Sequence, residues 1–222
     1  MRTLNLMAAL AVATSPVTVI AAAQPGTRSA TAVAAALQKR YDTIRDFTAD
    51  FVHEAEGGVL RKKTTERGTL QVKKPGRMRW DYVTPEKKLF VSDGTKMYLY
   101  VPADKQVMVT SMPAADEATT AVLFLVGKGS LTRDFTVTFA EGGTPDTHAL
   151  KLQPKLPERD YDWLQIVVER ATMRLRTLAA ADAQGGRSTF HFSNFKENAG
   201  LADKTFDFKI PRGADVVYPN AR

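Results

Sequence analysis

One stretch in the first half of the sequence decides the fold: Lys73-Lys74-Pro75-Gly76-Arg77-Met78-Arg79-Trp80-Asp81-Tyr82. It begins as a turn, because proline and glycine adopt the backbone angles that tight turns require. It continues as a strand, because Met78, Trp80 and Tyr82 alternate with charged residues, as in a strand with one buried face. The stretch therefore predicts a tight turn that leads into a half-buried β-strand.

The same two-residue period continues on both sides of this stretch. Upstream, Phe47, Ala49 and Phe51 alternate with polar neighbours. Downstream, Asp93-Gly94 is typical of a hairpin turn between two strands. Further strands are predicted over residues 88–91, 97–101, 106–110, 135–139, 148–152, 163–169, 173–179, 187–192 and 204–210. Short connections between so many strands indicate an antiparallel sheet.

Two segments have helical character instead. Val33, Leu37, Tyr41 and Ile44 follow one another at steps of three or four residues, which places them on one face of a helix over residues 29–44. Residues 113–127 interrupt the strand pattern with a run of alanines and large apolar residues that predicts a second helical segment. We therefore expect one helix before the sheet and one helical insertion within it.

Together these elements predict a mainly β protein of the α+β class, built on a single curved antiparallel sheet of about 10 or 11 strands. A sheet of this size curls, and a barrel that stays unclosed exposes an apolar concave face. The N-terminal helix and a mid-chain helical lid are expected to cover that face and to enclose a hydrophobic cavity.

Large apolar side chains on the strands and on the lid are the candidate lining of this cavity. Taken singly, each of them also fits ordinary core packing, since both roles need an apolar inward face. Taken together, they fit the lining of an open barrel, which has no second sheet to pack against. The predicted lining consists of Phe47, Phe51, Leu70, Met78, Trp80, Leu89, Val91, Leu99, Leu123, Phe124 and Val126.

The first 23 residues have the layout of a secretory signal peptide. Arg2 is basic, residues 4–20 are largely apolar, and Ala21-Ala22-Ala23 offers the small residues that a signal peptidase requires. The run is shorter and richer in small and hydroxyl residues than a membrane-spanning helix. We therefore expect cleavage after Ala23, export, and one domain over residues 24–222. Because the sequence contains no cysteine, we expect neither a disulfide framework nor a lipid anchor on the protein itself.

The sequence is basic, with a formal net charge of +7 from 31 lysines and arginines against 24 aspartates and glutamates. A basic surplus attracts nucleic acid, an anionic membrane or an acidic partner. Export argues against nucleic acid, and the basic residues are spread along the chain instead of forming one run. An ordinary solvated surface and a surface that faces a membrane or a partner both remain open.

Residues that could support catalysis or metal binding form no recognisable motif. His53, His148 and His191 are far apart in the sequence, and no pair has the spacing of zinc ligands. The sequence contains no G-x-S-x-G elbow, P-loop or G-x-G-x-x-G fingerprint. We therefore expect a protein that is not an enzyme and that binds no metal.

In their order and spacing, the motifs of this chain resemble those of the LolA-type periplasmic lipoprotein carriers. The resemblance extends over essentially the whole chain after the signal peptide. It rests on Asp46-Phe47-Thr48-Ala49-Asp50-Phe51, Gly68-Thr69-Leu70, the stretch from Lys73 to Tyr82, Val91-Ser92-Asp93-Gly94, Tyr98-Leu99-Tyr100, and the segment from Phe206 to Val216.

The resemblance implies a periplasmic protein whose hydrophobic cavity, under a helical lid, holds the acyl chains of a lipoprotein. It implies that acylated lipoproteins are received from an inner-membrane ABC lipoprotein-releasing transporter and handed to an outer-membrane lipoprotein receptor. No cofactor is implied, because the transporter uses the ATP. The carrier is expected to act as a monomer.

One position departs from the pattern of this family. Its members usually carry arginine where this chain has Lys74, and that arginine hydrogen-bonds to lid backbone and holds the lid shut. By resemblance, Lys74 is therefore the candidate lid latch. Lysine donates from a single point and lacks the planar fork of arginine, so we expect a latch that is weaker or differently built.

Three other functions share some of these features. A periplasmic carrier of another lipid or hydrophobic metabolite has the same apolar cavity. A sensing module of an envelope-stress regulator resembles the same fold, although such regulators are normally longer. A lipid esterase would use a similar pocket but needs a nucleophile motif that the sequence lacks. The apolar lining alone does not show which lipid or metabolite a carrier of this kind would hold.

Overall fold

The structure is a computed structural model, and it describes residues 28–57, 62–112, 125, 129–158 and 161–219. The predicted signal peptide lies outside the described residues. Most of the predicted lid does as well, apart from Leu125, which is helical and fully buried.

The first helix, α1, spans Ala30–Asp42 and agrees with the predicted helix to within two residues at each end. The Ser29 side chain accepts a hydrogen bond from the Ala32 N–H at 3.2 Å and so caps the helix N-terminus. Leu37 and Tyr41 are buried, as their helical spacing predicts. α1 therefore contributes one apolar stripe to the core.

The described residues contain twelve strands, which form one sheet. A short helix, α2, spans Leu131–Asp134, and a 3-10 helix spans Asp203–Phe206. The strands are β1 Asp46–Glu56, β2 Lys63–Lys73, β3 Arg77–Thr84, β4 Lys88–Asp93, β5 Lys96–Val101, β6 Gln106–Ser111, β7 Phe135–Phe139, β8 Thr147–Pro154, β9 Trp163–Glu169, β10 Leu175–Ala181, β11 Arg187–Glu197 and β12 Asp215–Val217.

The strand order across the sheet is β12-β6-β5-β4-β3-β2-β1-β11-β10-β9-β8-β7. Neighbouring strands are antiparallel, except that β12 runs parallel to β6. In the described part of the chain, β12 and β7 are the two edges of the sheet and do not pair with each other. The predicted fold, a single curved sheet that forms an unclosed barrel, is confirmed.

The prediction of a strand over residues 204–210 is wrong. Phe206, Phe208 and Ile210 alternate as in a strand, but the segment begins within the 3-10 helix. Phe206 is buried, and the Phe208 ring centroid lies 5.2 Å from that of Tyr98, so aromatic side chains attach this segment to the sheet. The closing strand is β12, which is parallel and brings the sheet to twelve strands.

Gly68 on β2 lies between Phe51 of β1 and Tyr82 of β3. A Cβ atom at Gly68 would lie 2.0 Å from the Asp81 carbonyl oxygen and 2.8 Å from Cζ of Phe51. Neither distance is compatible with a side chain at this position. The close packing of three strands therefore requires glycine here.

Gly68→Ala is expected to lower the free energy of unfolding by about 2–3 kcal/mol, because the added methyl group must displace backbone or the Phe51 ring. Urea unfolding followed by tryptophan fluorescence measures this change. Gly57→Ala is the matched control, because the nearest atom to a Cβ at Gly57 is 3.9 Å away. Equal stability of the two variants would contradict the packing described here.

Candidate functional site

The strand register places large apolar side chains in rows across the concave face of the sheet. Residues paired directly across neighbouring antiparallel strands point to the same face. The first row contains Phe47, Val72 and Met78; the second contains Ala49, Leu70, Trp80, Phe90 and Leu99; the third contains Phe51, Gly68 and Tyr82. These rows form a continuous apolar surface over β1 to β5, named here the apolar rows.

Five of the predicted lining residues come together in the apolar rows and belong to one buried cluster. None of the five is more than 3% exposed. Leu99 lies on the same face by register and is half-buried. The role of all six in lining an acyl-chain cavity stays a prediction. The five clustered residues are Phe47, Phe51, Leu70, Met78 and Trp80.

Leu89 and Val91 do not join the apolar rows. They were predicted to line the cavity, but they lie on the opposite face of the sheet. Phe90 pairs with Trp80, so the residues on either side of Phe90 point to the opposite face of the sheet. On that face Val91 pairs with Tyr98. Because three apolar residues follow one another in β4, the sequence shows no alternation that would assign each of them to a face.

Aromatic rings pack closely on the concave face. The Phe51 centroid lies 5.0 Å from that of Trp80 and 4.9 Å from that of Tyr82, both edge to face. Phe190 of β11 lies 5.0 Å from Trp80. Such rings supply a large apolar area with few directional bonds. The predicted lining omits Phe190 and its neighbour on the same face, Phe192, although their alternation in β11 was a usable signal.

A tyrosine ties α1 to Leu125, which belongs to the predicted lid over residues 113–127, named here the cover. The Tyr41 hydroxyl donates a hydrogen bond to the Leu125 carbonyl oxygen at 2.7 Å, and both residues are buried. The predicted lining residues Leu123, Phe124 and Val126 lie outside the described residues. Helical spacing predicts that Tyr41 faces the core. It does not predict the hydrogen bond to Leu125, because a hydrophobic pattern carries no information about the partner of a hydroxyl group.

Lys74 contacts the same tyrosine from the turn between β2 and β3. Its ammonium group donates to the Tyr41 carbonyl oxygen and lies 3.6 Å from the centroid of the Tyr41 ring. Lys74 therefore supports the residue that reaches Leu125. A direct bond from Lys74 to lid backbone stays a prediction, because the rest of the lid lies outside the described residues.

Polar side chains lie beyond the third apolar row, where hydrogen bonds link His53 to Glu66 and to Ser188.

Among the residues that the structure describes, no group of three or more histidine, cysteine, aspartate or glutamate side chains could hold a metal ion. In the same part of the chain, no helix combines the length and the apolar character needed to cross a bilayer.

A profile of the family described as "Outer membrane lipoprotein carrier protein LolA" matches residues 42–209. The chain belongs to the LolA family. An outer-membrane lipoprotein carrier protein of Chromohalobacter salexigens is 32% identical over 196 residues, which cover 88% of this chain and 89% of that protein. Another, from Methylibium petroleiphilum, is 34% identical over 198 residues, which cover 84% and 93%.

Solved structures share the fold at lower sequence identity. A crystal structure of an uncharacterized conserved protein from Thermus thermophilus matches with a TM-score of 0.54 at 12% identity. The match covers 83% of this chain and 98% of that one. The LolA profile includes the apolar rows and Lys74, and it begins immediately after Tyr41.

Lys74 carries its charge in a partly buried position. Burial lowers the pKa of its ammonium group from the ordinary value of 10.5 to about 8, and the nearby Asp42 carboxylate offsets part of this effect. Folding therefore disfavours the charged form of Lys74. An arginine at this position would keep its charge throughout the accessible pH range.

The free energy of unfolding is expected to rise between pH 8 and pH 10 in the wild-type protein relative to Lys74→Arg. In that window the unfolded chain binds a proton at Lys74 that the folded chain has released, so raising the pH favours the folded state. Because Lys74 is only half-buried, we expect a difference below about 1 kcal/mol. Denaturant unfolding at several pH values measures it, and parallel pH profiles would contradict the shift.

Proposed function

We propose that this protein is a periplasmic carrier that binds the acyl chains of lipoproteins released from the inner membrane and delivers them to an outer-membrane receptor. The observation that carries this proposal is the continuous set of apolar rows, most of whose side chains are buried in one cluster with α1 and Leu125. Relatives named outer-membrane lipoprotein carrier proteins, which match most of the chain, support the same role.

The energetic task of such a carrier is large. Three acyl chains of about fifteen methylene groups each, at about 0.8 kcal/mol per group, represent on the order of 35 kcal/mol of membrane anchoring. A carrier must replace this with its own apolar surface. The side chains of the apolar rows already bury one another, so entry of a cargo requires the cover to move and the aromatic rings to part.

Release of the cargo is helped by the kind of contact that the apolar rows can make. Apolar burial is non-directional, so a competing apolar surface can take over the acyl chains without matching any specific bond. The ring N–H of Trp80 donates a hydrogen bond to the Met78 sulfur at 3.3 Å, so this polar group is already paired within the apolar rows. The rows thus offer contact area more than directional bonds.

The proposed route begins with removal of residues 1–23 and places the domain over residues 24–222 in the periplasm. An inner-membrane ABC lipoprotein-releasing transporter would supply the cargo at the expense of ATP, and an outer-membrane lipoprotein receptor would accept it. The carrier itself would act as a monomer, with no cofactor, no nucleic acid and no enzymatic step. Loss of Arg2 with residues 1–23 leaves 30 lysines and arginines against 24 aspartates and glutamates, a net charge of +6 that suits an acidic surface on either partner.

A release assay tests this function. Mature protein, added to spheroplasts whose outer-membrane lipoproteins are labelled, is expected to carry label into the supernatant as a complex. Cargo that lacks its acyl groups should not be carried, because the apolar rows would have nothing to bind. Absence of release while the transporter is active would contradict the proposal, and lipid extracted from the purified protein would then identify another hydrophobic ligand.

The chain offers a matched pair of variants for the same assay. Leu99 and Leu89 are both half-buried leucines on adjacent strands, but Leu99 faces the apolar rows and Leu89 faces the opposite side. Leu99→Gln is expected to weaken cargo binding about ten-fold, because it places an amide against acyl chains. Leu89→Gln should leave binding unchanged, and an equal loss in both variants would argue against this face.

Tyr41→Phe tests the bond between α1 and the cover. Loss of the hydroxyl leaves the buried Leu125 carbonyl oxygen without this donor, so opening of the cover should become about five-fold more favourable or more. Stopped-flow uptake of a fluorescent fatty acid measures this opening. Tyr100→Phe, which removes a hydroxyl on the other face, is the control. Identical uptake rates in both variants would show that the bond does not restrain the cover.

A further inference from the structure

Four polar side chains form a hydrogen-bonded chain at one end of the concave face. His53 Nδ1 lies 3.0 Å from Glu66 Oε2, and His53 Nε2 lies 2.8 Å from Ser188 Oγ. The other carboxylate oxygen of Glu66 accepts a hydrogen bond from Lys88 Nζ at 2.5 Å. The four residues, named here the polar chain, connect β11, β1, β2 and β4.

The polar chain lies directly beyond the aromatic side chains. Tyr41 of α1 contacts Phe47 at the start of β1, whereas His53 lies near the other end of that strand. The His53 ring stacks on the Phe190 ring, with centroids 4.1 Å apart. Since His53 and Phe51 are two residues apart on one strand, they point to the same face. The apolar surface therefore ends in a set of polar groups.

Ionised Glu66 fixes the roles of its neighbours. Burial opposes its ionisation, but hydrogen bonds from Lys88 and His53 outweigh this and lower the pKa of the carboxyl group. A carboxylate can only accept, so His53 donates from Nδ1 to Glu66. With the hydrogen on Nδ1, the Nε2 atom of a neutral ring accepts the hydrogen of Ser188. Lys88 has three N–H donors, and its side chain is 27% exposed above the Tyr82 ring.

We propose that Lys88, positioned by Glu66, His53 and Ser188, is a polar subsite that binds the ester carbonyl oxygens at the glyceryl head of an acylated cargo. The inference rests on the proposed carrier function and adds an orientation, with the head at the polar chain and the acyl chains along the apolar rows. An ammonium group with donors beyond the one that Glu66 takes suits carbonyl acceptors. Because its neighbours already hold it, little further ordering is needed on binding.

Stabilisation of the fold does not by itself explain the polar chain. The desolvation of a partly buried ion pair offsets much of its attraction, and apolar residues of similar size stabilise a fold as well or better. The neighbouring rows of the same face are filled by apolar residues. A binding role therefore explains the polar chain better than a structural one.

Ser188, His53 and Glu66 also have the order of a nucleophile, a general base and an orienting carboxylate. Binding is favoured over catalysis because Ser188 lies on a strand that is paired on both sides, opposite Ala55 and Ala180. Its backbone is therefore engaged in the sheet instead of forming an oxyanion site.

The test compares a lipopeptide with two ester-linked palmitoyl chains on glyceryl-cysteine and its ether-linked analogue of the same chain length. The ether lacks carbonyl oxygens, so the wild-type protein should bind the ester about ten-fold more tightly. Lys88→Met should reduce this ratio to about one by removing the donor. Lys87→Met, which alters the exposed neighbouring lysine, should preserve the ratio. Displacement of a fluorescent fatty acid measures each affinity.

Because Lys88→Met leaves the Glu66 charge unpaired, the double variant E66Q/K88M serves as a second test without that charge, and thermal unfolding confirms that both variants fold. An ester preference that is absent in the wild type, or that persists in the folded variants, overturns the proposal. Release of free palmitate that depends on Ser188 overturns it as well. If neither lipopeptide binds, the carrier function itself fails; if both bind equally, only the subsite fails.

Discussion

A curved sheet with no second sheet to pack against leaves one apolar face that other elements must cover. Here α1 and Leu125, the described residue of the cover, share one buried cluster with most of the apolar rows. Ordinary domains bury such a face permanently. A carrier has to bury this face and also uncover it. The free energy with which the cover packs on the face and the affinity for cargo therefore depend on the same surface.

Two sets of polar contacts lie on opposite sides of the apolar rows, one before the first row and one beyond the third. At one end, Tyr41 bonds to the Leu125 carbonyl and is supported by Lys74; at the other, His53 and Glu66 anchor the polar chain. Between them lie mainly aromatic and aliphatic side chains, and the ring N–H of Trp80 is bonded to the Met78 sulfur. Opening and orientation can therefore be controlled by a few polar groups, while most of the binding energy comes from apolar area.

Strict alternation made much of the fold predictable. Met78 and Trp80 sit between charged residues, so their face was evident, whereas the apolar run that contains Leu89 and Val91 has no alternation and was misassigned. The four-residue α2 is too short to show a helical period, and β12 is too short to reveal its parallel pairing. The polar chain was not predictable because His53 meets Ser188 only through the pairing of β1 with β11.

The sheet is assembled from two meanders, β1 to β6 and β7 to β11, which are joined edge to edge along β1 and β11. The chain between Ser111 and Leu131 therefore leads from the outer part of one meander to the outer edge of the other, and Leu125 lies within it. The two halves of the sheet are therefore joined twice, by hydrogen bonds along β1 and β11 and by the covalent chain from β6 to α2. The distance between the end of β6 and the start of α2 thus cannot exceed the contour length of that chain.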